Sequence, residues 1–136
     1  VIGANNTGVG DRSLRLNTTG NYNVAIGALA LFCSTTAGNN IAIGYHALRC
    51  HIGGSNQNVA IGWRASYTNV SGSNNVAVGM YALNTNKVDN IIAVGYGALQ
   101  NLACTNNGYG NQSVHTIAIG YGALQNFHGG EGSKSV

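Results

Sequence analysis

Three carboxylates and four imidazoles are the side chains of this 136-residue chain best placed to serve acid–base catalysis near neutral pH. The acids Asp11, Asp89 and Glu131 lie far apart in sequence, and His46, His51, His115 and His128 follow no motif spacing. General acid–base catalysis needs two such groups converging on one substrate. A Ser-His-Asp or Cys-His set likewise needs an oriented base. Neither can be assembled here, so the sequence argues against an enzyme, and no catalytic or cofactor-binding residue is assigned. His46, Cys50 and His51 fall within six residues, but zinc requires a further ligand and no Cys-x-x-Cys pair accompanies them, so no metal site is expected. Asn-x-Ser/Thr acceptor sequences for glycosylation stand at Asn5, Asn17, Asn69 and Asn111, about as often as chance provides in so Asn-rich a chain.

The remaining side chains acquire meaning only through the elements that place them, and those elements repeat. An eight-residue phrase (apolar, Ala, Ile or Val, Gly, any, any, Ala, usually Leu) occurs at Val24–Leu31, Ile41–Leu48, Val59–Ser66, Val76–Leu83, Ile92–Leu99 and Ile117–Leu124. Its glycines, Gly27, Gly44, Gly62, Gly79, Gly95 and Gly120, are 17, 18, 17, 16 and 25 residues apart. A clipped copy at Ile2–Gly3 leads the series. Such a period is the signature of a solenoid.

Val and Ile alternate with Ala in each phrase, which reads as a strand apolar on both faces. Ala never gives way to a larger residue two before or three after the glycine, so two layers should meet there at close range. The glycine marks a corner, and Asn-, Thr-, Gly- and Ser-rich stretches complete the coil as turns. Asn23, Asn40, Asn58 and Asn75 directly precede their phrases, predicting a stacked Asn ladder that ends at Ile91 and Thr116. A single chain would cover one face of its strands and leave the other bare, so a homotrimer around a common axis is inferred. The hexapeptide acyltransferase solenoid fails on spacing, because Arg49 and Ser55 occupy two of the aliphatic positions it needs after Ile43.

Asn23-Val-Ala-Ile-Gly, Asn58-Val-Ala-Ile-Gly and Asn75-Val-Ala-Val-Gly resemble the YadA-like head repeat of trimeric autotransporter adhesins. The continuation Gly-Tyr-x-Ala-Leu at Gly44–Leu48, Gly95–Leu99 and Gly120–Leu124 is similar to the longer variant in phage and giant-virus fibres. The resemblance spans about residues 20–127 and implies a trimeric, left-handed parallel β-roll in a surface fibre that attaches to host cells or matrix. The period here is longer than in the bacterial repeat.

The expected architecture is therefore an all-β parallel β-roll, a left-handed β-solenoid of about six to seven coils over residues 1–127. Its coils centre on Gly3, Gly27, Gly44, Gly62, Gly79, Gly95 and Gly120, with 128–136 a flexible exit. Cys33 and Cys50 both lie six residues past their glycines and should stack on adjacent coils, within reach of a disulfide; two stacked free thiols is the equally open alternative. Cys104 has no such partner. Tyr45, Trp63, Tyr96 and Tyr121 follow their glycines directly and build an aromatic-rich column, a candidate receptor or glycan contact, although rings packing on one another is the plainer reading. The long step inserts residues within Gln100–Thr116, a surface loop whose Tyr109 is the remaining candidate contact.

Only 7% of residues are charged and the net charge is +3, far below the usual quarter or so of charged residues. The six basic residues (Arg12, Arg15, Arg49, Arg64, Lys87, Lys134) look scattered, which gives nucleic-acid binding no support. No apolar run approaches a membrane span. The chain opens inside a repeat without an initiator Met or signal peptide, as a piece of a longer polypeptide or a mature product would. The expected role is a structural or adhesive segment of a cell-surface or virion fibre, whose partners are sister chains and a host receptor, glycan or matrix protein. The alternative is a monomeric β-solenoid carbohydrate-binding module. Ice binding would need a flat Thr array, and Thr recurs in register only at Thr68 and Thr85.

Overall fold

A computed structural model describes residues 3–51, 54, 56–104 and 115–129. The chain is a β-solenoid of stacked parallel strands. Seven of them form one sheet in coil order: β1 (Thr7–Val9), β2 (Val24–Ile26), β3 (Ile41–Ile43), β4 (Val59–Ile61), β6 (Val76–Val78), β8 (Ile91–Val94) and β10 (Thr116–Ile119). On another side of the coil β5 (Thr68–Asn69) pairs with β7 (Thr85–Asn86), and β9 (Ala103–Cys104) pairs with β11 (His128–Gly129). Register follows the repeat: Ala25, Ala42, Ala60, Ala77, Ala93 and Ala118 sit on one another.

That alanine column, the second column Ala30–Ala47–Ala65–Ala82–Ala98, and Leu31, Leu48, Leu83 and Leu99 fill the inside of the coil. The interior is thin, which is why nothing larger than Ala is found where sheet and turn face each other. Apart from the buried Ile91, the Val and Ile side chains of the same strands point outward, and Ile26, Ile41, Ile61, Ile92 and Ile117 are each 37–39% exposed. One chain encloses its Ala rows and leaves its Val/Ile rows facing out.

The corner glycines have φ of 122–130°. A methyl on Gly27, Gly62 or Gly79 would meet the next coil's glycine carbonyl carbon at 2.7 Å. Two constraints thus coincide at one position, the backbone conformation and the close approach of the adjacent coil. The turn after the corner imposes a third demand that the sequence pattern does not announce. Leu29, His46, Arg64 and Tyr81, two residues past the corner, have φ of 54–61°, and Leu31, Leu48, Ser66, Leu83, Leu99 and Leu124, four past, have φ of 47–50°. Left-handed leucines are strained, but the conformation aims alternate N–H groups at opposite neighbours. His46 N–H donates to Ala28 O of the preceding coil (3.1 Å), and Leu48 N–H donates to Ala65 O of the following one (3.0 Å). Between them Ala47 N–H donates to Gly44 O within the same coil at 3.2 Å, so the turn is tied both to itself and to its two neighbours.

The Asn ladder is present and buried. Main-chain N–H groups of Asn40, Asn58 and Asn75 donate to Oδ1 of Asn23, Asn40 and Asn58 at 3.0, 3.0 and 3.1 Å. The ladder starts one rung earlier than the sequence suggests, since Asn6 Oδ1 accepts from Asn23 N–H at 2.9 Å. It ends at Ile91, whose N–H caps Asn75 Oδ1 at 2.9 Å.

Two boundaries need correction. The first coil turns at Gly10 rather than Gly3: Thr7, Gly8 and Val9 pair with Val24, Ala25 and Ile26, and Gly10 lies against Gly27. Thr and Gly in the Val and Ala positions hide this copy, while Gly3 stacks on Gly20 in the polar turn. The roll also runs past residue 127, because His128 and Gly129 pair with Ala103 and Cys104. The inserted loop is correspondingly shorter than Gln100–Thr116: Asn101 bridges Thr85 and donates its N–H to Gln125 O at 2.9 Å. Residues 105–114 and 130–136 lie outside the described residues.

Replacing Gly62 by Ala should lower stability by about 3 kcal/mol or more, combining backbone strain with the clash against the next coil. Gly54→Ala, where an added methyl meets nothing within 4 Å, should change it by less than about 0.5 kcal/mol. Urea unfolding midpoints of the two variants check this.

Candidate functional site

The residues that follow each corner form columns along the rod, and the chemistry lies in four of them. One past the corner, Tyr45, Trp63, Tyr96 and Tyr121 are all exposed, Tyr121 at 85%. Tyr96 and Tyr121 stack face to face across neighbouring coils, with centroids 5.1 Å apart and planes 9° apart. Trp63 and Tyr96 meet the edge or face of Tyr81, from the next column, at 4.8 and 6.1 Å. The rings do pack on one another, and each still presents surface to solvent. Tyr109 lies outside the described residues.

Six past the corner, Cys33 and Cys50 stand on adjacent coils as the period predicts, their sulfurs 4.0 Å apart and unbonded. Burial, followed by the neighbouring Cys50, pushes the Cys33 thiol up from its ordinary pKa. Cys104 is paired in register with Gly129, on another coil from both.

Two and five past the corner, the structure gathers charges that are scattered in sequence into a cluster. The turn brings these offsets side by side, so His46, Arg49, Arg64 and Tyr67 converge from two successive coils. The Arg49 guanidinium carbon lies between the rings of Phe32 and Tyr67, 5.4 and 5.7 Å from their centroids. Its Nη1 donates to Tyr67 Oη at 3.2 Å and to Cys50 Sγ at 3.4 Å. Arg64 lies 5.0 Å from the centroids of both Trp63 and Tyr67. His46 stacks on Tyr45, 3.9 Å between centroids, and tilts toward Tyr67. Burial, then Arg49 and Arg64, lower its pKa. The sequence did contain the signal: 49 is five past Gly44 and 64 is two past Gly62.

The other candidate groups are dispersed. His51 is buried on a different side of the coil, with Nδ1 3.1 Å from Asn69 O. His115 is exposed. Asp11 faces Arg12 at 3.7 Å, and Asp89 accepts from Ser73 N–H. Among the described residues no three His, Cys, Asp or Glu side chains converge to hold a metal. Of the glycosylation sequences, Asn17 and Asn69 are buried with both ends of their amides bonded into turns at Gly20 and Gly72. Asn5 is exposed, and Asn111 lies outside the described residues.

Comparison with family models, with curated proteins and with solved structures gives no match.

Incubation with a low-molecular-weight disulfide such as oxidised glutathione should join Cys33 to Cys50, with two equivalents of reduced glutathione released for each staple formed. Peptide mass spectrometry without reduction should find that linkage, and separate glutathione adducts on both cysteines would contradict it.

Proposed function

We propose that this chain is a segment of a homotrimeric β-solenoid fibre that acts by attachment rather than catalysis. The observation that carries the reading is the outward Val/Ile face. Its rows run the length of the sheet, from Val9, 57% exposed, to Ile119, 70% exposed. Soluble monomers rarely leave a contiguous apolar band of such extent uncovered. The face repeats its own pattern at the strand spacing of roughly 4.8 Å, so the surface that best matches it, rung for rung, is a second copy of the same face. The number three follows from the resemblance of the Asn-Val-Ala-Ile-Gly phrases to trimeric adhesin heads. Scarce charge and a surface of amides and hydroxyls fit an extracellular or virion fibre.

In such a fibre each binding surface is present three times, so weak contacts with a receptor, glycan or matrix protein gain by avidity. The exposed aromatic column favours one other reading, a monomeric β-solenoid carbohydrate-binding module. The two differ in what the Val/Ile rows do.

Light scattering on the native protein should give three times the chain mass. Ile61→Asp, which places a charge in the middle of the outward row, should yield monomer or precipitate. A monodisperse wild-type monomer whose mass and stability are unaffected by Ile61→Asp would remove the fibre reading and leave the lectin-like module.

A further inference from the structure

The His46–Arg49–Arg64 cluster is short of acceptors. Nε of Arg49 and Nε of Arg64 are buried and bonded to nothing, and so are both ring nitrogens of His46, a residue only 9% exposed. Burying unpartnered polar groups is costly, and the cost is concentrated here on three cationic or protonatable side chains of neighbouring coils. The rings of Phe32, Trp63 and Tyr67 satisfy the faces of the guanidinium groups but accept no hydrogen bonds from their edges beyond Tyr67 Oη. Among the described residues the two carboxylates are engaged elsewhere, Asp11 with Arg12 and Asp89 with the Ser73 amide. No carboxylate among the described residues is paired with this cluster.

We propose that Arg49, Arg64 and His46 form a binding site for an acidic saccharide, its sulfate or carboxylate held by the two guanidinium groups and its ring laid against Tyr45 and Trp63. Planar guanidinium groups bind such oxyanions through paired N–H donors. Tyr45 and Trp63 flank the cluster and are 45% and 36% exposed, offering an apolar face to the C–H side of a sugar. A bare acidic peptide would use the arginines and leave those rings idle, which is why a saccharide is the better fit. This deepens the attachment reading and relies on it only for the setting, since every residue named belongs to a single chain.

Calorimetric titration of the native protein with a heparin-derived hexasaccharide, 3′-sialyllactose, neutral lactose and hexa-aspartate tests the site. Binding of the hexasaccharide identifies a sulfated source, and binding of sialyllactose a carboxylated one. Arg49→Gln and Arg64→Gln should each weaken that binding about tenfold or more, whereas Arg15→Gln and Lys87→Gln, which remove the same charge from exposed positions elsewhere, should leave it within about twofold. In the unmutated protein the His46 ring resonances should shift on saturation while those of His115 stay fixed, a readout that stands even where a variant folds poorly. The proposal is overturned if neither acidic saccharide binds, if lactose or hexa-aspartate binds as tightly, or if the control substitutions weaken binding equally. Light scattering on the same samples separates the outcomes: a trimer that binds no acidic saccharide removes this site alone, and a monomer removes the fibre.

Discussion

Stacking in register governs this molecule: each coil lies on the next at strand spacing, so that side chains at the repeat positions rest on their counterparts from the neighbouring coil. At the corner the two backbones come so close that a single methyl would strike the adjacent carbonyl at 2.7 Å. Column after column then takes the one residue type that stacks well on itself. Glycine fills the corner and alanine the narrow interior. Asparagine fills the buried polar position, because its carboxamide Oδ1 can receive both the main-chain and the side-chain N–H groups of the asparagine above it. The left-handed leucines belong to the same logic. Their strain is offset by hydrogen bonds to neighbouring coils, as from Leu31 N–H to Ala47 O and from Leu48 N–H to Ala65 O.

Features set by self-stacking were therefore open to reading from the chain alone. The strand positions, the buried Ala rows, the ladder at Asn23, Asn40, Asn58 and Asn75 and the adjacency of Cys33 and Cys50 all follow from counting offsets to a glycine. Features set by backbone conformation were not. The coil at Gly10 carries no repeat signature because hydrogen bonding along β1 asks nothing of the side chains, so Thr7 and Gly8 serve where Val and Ala usually stand. The αL leucines are not legible in the sequence because Leu carries no propensity for that region; tertiary hydrogen bonds impose it. His128 and Gly129 read as a tail because Gly-rich sequence signals a linker, yet the pairing partner waits at β9.

The Arg49–Arg64 cluster lies between these cases. Its members share no motif and stand 15 residues apart, so a linear search for charge patterns passes over them. Their offsets from successive corners place them on one ledge, and the rings of Phe32, Trp63 and Tyr67 hold the guanidinium groups there. A solenoid thus converts a sparse sequence pattern into a dense surface one, and a chain with only 7% charged residues can still concentrate cationic groups at one place. The same geometry sends the Val and Ile rows outward, so packing against sister chains and ligand contact would occupy different sides of the coil.

The central claim is that those rows are covered by identical, parallel, in-register copies. Its most direct measurement is cross-linking of chains that carry one cysteine, at Ile26 or at Ile92, in a background with Cys33, Cys50 and Cys104 replaced by Ser. Mixed and assembled together, the two kinds of chain should link only like to like, Ile26→Cys with Ile26→Cys and Ile92→Cys with Ile92→Cys. Links between unlike positions, or no interchain links at all, would contradict the account.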